Sequence, residues 1–78
     1  MRYQKRWGWL VSVTTPGMKE QSAVQSLYHA AIPCSVAAIR AVTAVSRAQA
    51  DALVEVQEAL SSWEIIGLEL KPGEARLV

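Results

Sequence analysis

The chain has 78 residues, of which 51% are hydrophobic and 19% charged, with a formal net charge of +1 and a single cysteine. That length allows one domain, here taken as residues 1–78, and the apolar fraction is that of a globular chain rather than a disordered one. An internal disulfide is excluded, and the charge is too balanced to steer the whole protein toward nucleic acid or anionic lipid.

In chain order, Tyr3–Thr14 reads as a strand, because Trp7, Trp9, Val11 and Val13 alternate with Arg6, Gly8, Leu10 and Ser12. "TTPG" follows, with Thr15 as a helix N-cap and Pro16 at the first helical position. Val24, Leu27, Tyr28 and Ala31 then form one apolar stripe at helical spacing, and Pro33 ends that predicted helix. Residues 36–45 mix β-branched Val36, Ile39, Val42 and Val45 with four alanines, and are apolar all round except for Arg40 and Thr43. That composition favours a central strand buried on both faces.

Ser46 and Gln49 have the spacing of a capping box for a second helix, with Ala52, Leu53, Val56, Ala59, Leu60 and Trp63 as its buried stripe. The remaining "WEIIGLELKPGEARLV" is expected to be a hairpin, with Pro72 and Gly73 placed as in a type II turn. The fold class expected is α+β: a small two-layer sandwich of order β-α-β-α-β-β, with two helices on one face of a mixed sheet.

Residues 16–78 also support an alternative. If 36–42 is a helix, a turn at Thr43–Val45, a helix capped by Ser46 and a C-terminal hairpin follow, and the order resembles a winged helix-turn-helix. That resemblance implies a DNA-binding transcriptional regulator, with Arg40, Arg47, Lys71 and Arg76 on phosphates. The would-be recognition helix departs from this role: it carries Arg47 against Asp51, Glu55 and Glu58, and phosphates repel such a surface. Ala44 also stands in the turn where that family usually has glycine.

Little points to catalysis. His29 and Cys34 are the only residues of their types, too few ligands for a zinc site, and no G-x-S-x-G nucleophile elbow is present. The spacing of a phosphate loop is missing after "TTPG". The expectation is therefore a protein that is not an enzyme and needs no metal or cofactor. Its partner is expected to be another protein, a second copy of the chain being one candidate, with nucleic acid less favoured.

The mechanism expected is pairing at an exposed sheet edge. Trp7 and Trp9 would anchor it and Lys5 and Arg6 would form a basic rim, while Asp51, Glu55 and Glu58 would make a second, acidic surface. An inhibitor or a regulatory subunit would suit that size. No stretch approaches the roughly 18 apolar residues of a membrane span, so the sequence reads as a cytoplasmic protein with no membrane partner.

Charge is split along the chain. Residues 1–47 carry six cations against Glu20, net +5, and residues 48–78 carry two cations against six carboxylates, net −4. Such a split favours either neutralisation within the fold or head-to-tail self-association.

Overall fold

The computed structural model describes residues 7–17, 22–48 and 50–78. It is an α+β fold with four strands and two helices: β1 (Gly8–Thr15), β2 (Val24–Ala30), α1 (Ser35–Ser46), β3 (Leu53–Leu60), α2 (Ser62–Gly67) and β4 (Ala75–Leu77). The sheet runs β3-β1-β2-β4, and every neighbouring pair is antiparallel. The element order is thus β-β-α-β-α-β, which corrects the expected β-α-β-α-β-β, and the sheet is antiparallel rather than mixed.

β1 forms as its alternation demands. Trp9, Val11 and Val13 face α1, and Val11 is completely buried. Residues 3–6 of the predicted strand lie outside the described residues.

The first predicted helix is a strand instead. β2 pairs with β1 in the register Trp9↔Ala30, Val11↔Tyr28 and Val13↔Ser26, so Tyr28 and Ala30 join the core while Leu27 and His29 turn to the other face. Seven ladder pairs with a neighbouring strand outweigh the weak helical preference of a short stripe.

The alanine-rich segment is α1, not a central strand, and four alanines in twelve residues carry that outcome. Ala38 and Val42 pack against Val11, Val13, Tyr28 and Ala30 to make the core. The hydroxyl of Thr43 stays satisfied inside the helix by donating to the Ile39 carbonyl at 2.7 Å. Arg47 ends the helix in the left-handed region at φ 54. Its N–H reaches the Ala44 carbonyl, and the Ala48 N–H reaches Thr43, the Schellman pair of bonds with arginine where glycine is common.

The second predicted helix is also a strand. In β3, Val54 and Val56 pair with Val13 and Val11 and pack on the core, whereas Leu53 is 54% exposed. The proposed cap at Ser46 is not formed, since its hydroxyl bonds back to the Thr43 carbonyl, and Gln49 lies outside the described residues. The capping box is fifteen residues later. There the Ser61 hydroxyl accepts from the Glu64 N–H at 3.2 Å, and the Glu64 carboxylate accepts from the Ser61 N–H at 3.0 Å, opening α2. With β3 in place of a helix after α1, no helix-turn-helix exists among the described residues, and the winged-helix alternative is corrected with it.

The C-terminal hairpin is replaced by α2, a turn and β4. The turn itself is as expected: Gly73 has φ 84, and the Glu74 N–H donates to the Lys71 carbonyl at 2.9 Å. Only α1 spans the sheet, touching all four strands. α2 sits at the sheet's end, where Ile65 lies against Gly8, so the two helices do not share one face as layers.

Candidate interaction surfaces

Two surfaces follow from this arrangement. The first is the outer side of β3, which among the described residues pairs with β1 alone. Eight residues long, it is the longer of the two edge strands; β4 at the opposite edge has three.

A β-bulge shapes this strand. The register passes from Leu10↔Glu58 to Val11↔Val56, leaving Gln57 as an extra residue. Its amide donates to the Ser12 hydroxyl at 2.7 Å, and that hydroxyl reaches the Glu55 carbonyl at 3.4 Å. Ser12 is consequently buried to 1% exposure on the face away from α1 with its polar atom partnered. Because cross-strand partners share a face, Glu55 (opposite Ser12) and Glu58 (opposite Leu10) both stand on that open face. Without the extra residue they would point to opposite sides.

The open face reads across the sheet as acid, apolar, base. Glu58, Leu10, His29 and Arg76 form one row of cross-strand partners, and Glu55, Ser12 and Leu27 the next. Arg76 is already engaged. It donates to the carbonyls of Leu68 and Glu69 and pairs with Glu74 at 3.1 Å. The Lys71 N–H and the Arg76 guanidinium hold the Glu74 carboxyl below its ordinary value.

The second surface is the outer side of α1: Val36, Ala37, Arg40, Thr43 and Ala44, all exposed. Arg40 is the only charged residue in the helix, and Arg47 follows at its end.

The residues expected from sequence fall in different places. Trp7 is 45% exposed, and its N–H donates to the Leu60 carbonyl, which puts it beside the end of β3. Trp9 is not on an edge, because β1 is a central strand. Its indole packs on the core, and Nε1 donates to the Pro33 carbonyl at 2.9 Å. Asp51 is exposed in the turn before β3, and Glu55 and Glu58 stand together on the strand rather than on a helix. Lys5 and Arg6 lie outside the described residues.

Sequence reasoning missed two further features. Trp63 was assigned to a buried stripe but is 80% exposed on α2 beside Ile66 at 66%. The "SSWE" spacing of the capping box at Ser61 was the available signal. The outer face of α1 was missed because its lack of charge was taken as a mark of burial.

Chemistry has few groups to work with here. Cys34 stands at the N-cap position of α1 without a side-chain capping bond and is exposed, whereas His29 lies on the sheet face turned away from that helix, so the two belong to different layers. Among the described residues no group of three or more His, Cys, Asp or Glu could hold a metal. A cleft of about 180 Å³ opens between the end of α1 and the β1–β2 hairpin, beside Tyr28, Ser46 and Arg47, below the ≈ 300 Å³ at which small-molecule sites begin. Among the described residues no helix is long and apolar enough to cross a membrane. No protein-family model matches the chain, and no curated protein or solved structure shows a significant match to it.

Proposed function

We propose that the protein is a non-enzymatic interaction module that takes an extended segment of a protein partner along the free edge of β3, as an inhibitor or regulatory subunit would. The observation that carries this reading is the eight-residue edge strand paired on one side only among the described residues. Its unpaired N–H and C=O groups are a template for another strand.

The acids on β3 narrow the choice of partner. An antiparallel copy of β3 centred on the strand would bring Glu55 against Glu58 of the other chain, and like charges directly opposite are destabilising. An incoming strand with lysine or arginine at those positions is favoured instead. Trp7 continues β1 beside Leu60, on the side of β3 away from the free edge, so the edge reading rests on the backbone of β3 and not on this tryptophan.

Proline tests this directly. Adjacent residues of a strand alternate between N–H groups in the ladder and N–H groups at the edge, so one of Val54→Pro and Glu55→Pro keeps the β1–β3 ladder while blocking the edge. The variant that retains the wild-type circular dichroism should lose partners captured by the wild-type protein. Equal capture by that folded variant sinks the edge reading. Amide exchange over 53–60, with and without the captured partner, gives the same answer if neither variant folds: no slowing on binding also sinks it.

A further inference from the structure

α1 and the open sheet face are each half of a packing arrangement. An α-helix of a two-layer fold normally turns a charged side to water. Outward, α1 presents Val36 at 57% exposure, Ala37, Thr43 and Ala44, with Arg40 as its only charge. On the far side of the molecule, the sheet presents half-buried Leu10 and Leu27 and exposed Leu53, flanked on β3 by Glu55 and Glu58. Among the described residues, one face has no sheet against it and the other is bordered only at its end, by Ile65 of α2 at Gly8.

The charges match as well. Arg40 and Arg47 are seven residues apart, ~10 Å along a helix at 1.5 Å per residue. Glu55 and Glu58 stand opposite residues two apart on β1, ~7 Å along a strand at about 3.4 Å per residue. Long side chains span that difference. Arg40 on the helix and Arg47 just beyond its end thus offer two cations to two carboxylates, and no described ion pair inside the chain uses any of these four.

We propose that copies of this chain stack head to tail, the outer face of α1 in one copy lying on the open sheet face of the next. The contact is heterologous, so it propagates into a ring or a filament rather than closing as a twofold dimer. It uses a different surface from the ladder edge of β3, and its failure leaves the edge reading standing. A twelve-residue helix on a sheet falls at the small end of specific interfaces, about 1,200 Å² in total, so association is weak and strongly dependent on concentration and salt.

Sedimentation velocity on the full chain tests it, with two charge-reversal variants whose circular dichroism is first matched to wild type. Wild type should gain sedimentation coefficient with concentration up to about 1 mM at low salt and lose that gain at high salt. Arg40→Glu with Arg47→Glu, and separately Glu55→Lys with Glu58→Lys, should each weaken association roughly tenfold. Mixed in equal amounts, the two variants should associate again, because every contact in an alternating stack then pairs opposite charges. A wild-type chain that stays monomeric throughout overturns the proposal. So does association that neither variant weakens, or a mixture no larger than its components.

Discussion

At the scale of single residues, the tryptophans of β1 separate two roles that one alternating pattern had merged. Trp9 packs on the core and bonds the Pro33 carbonyl that leads into α1, so Trp9→Ala should cost about 3 kcal/mol, near the lower end for truncating a core tryptophan. Trp7 is 45% exposed and outside the core cluster, and Trp7→Ala should cost about 1 kcal/mol. Urea titrations of the two variants check this, and equal losses would contradict the placement.

Gly8 is constrained differently. A Cβ there would run into the Ala30 carbonyl oxygen and stand 2.9 Å from Cδ1 of Ile65. The isoleucine tip can move; the β2 backbone cannot without disturbing the hairpin. Gly8→Ala should therefore destabilise by roughly 2 kcal/mol, the range of overpacking in a filled site, read as a lowered urea midpoint. In the sequence this glycine looked like one more outward position between two tryptophans, because spacing along one strand does not show how closely the next strand approaches.

At the scale of elements, β1 and the turn at Lys71–Glu74 were legible, and the middle of the chain was read with helix and strand exchanged. The reason lies in two local coincidences. In α1, β-branched residues alternate with alanines, so a helix with almost no charge resembled a strand buried on both sides. In β3, the bulge at Gln57 puts residues three apart on one face, the spacing that marks a helix surface. Glu55 and Glu58 were thus correctly grouped, though the backbone that groups them is a strand. The alternation Val54, Glu55, Val56, Gln57 was the readable strand signal, and the apolar spacing of Leu53, Val56 and Leu60 obscured it.

α2 shows how far a cap can carry a short element. It has six residues and no buried side chain, and it packs mainly through Ile65. The reciprocal bonds between Ser61 and Glu64 satisfy two N–H groups that so short a helix cannot satisfy internally. Ser61→Ala should remove about 1 kcal/mol, localised to α2. Amide exchange should quicken over 62–67 while β1 keeps its protection; uniform quickening would mean that α2 is part of the global core.

At the scale of the whole molecule, part of the charge split along the chain becomes a split across it, although Arg76 shares the open face with Glu58. The described cations Arg40 and Arg47 lie on and after α1, while Glu55 and Glu58 face the other way from β3. Among the described residues, no ion pair within one copy uses either set. The sequence showed the imbalance, but faces belong to the assembled sheet, and no reading that exchanged helix for strand could place them.

The central position of β1 also orders the events of folding. Eight residues separate β1 from β2 in the chain, but 37 separate it from β3. A hairpin of the first kind forms in about 1–10 μs, whereas distant pairing waits on loop closure and slows a chain in proportion to its non-local contacts. On the ribosome, β1, β2 and α1 emerge before β3 does, leaving one side of β1 open. Any extended segment present in that interval competes for β3's place, and a neighbouring chain's own β3 fits it by construction. Exchange of that strand between nascent copies is the kinetic hazard built into this topology.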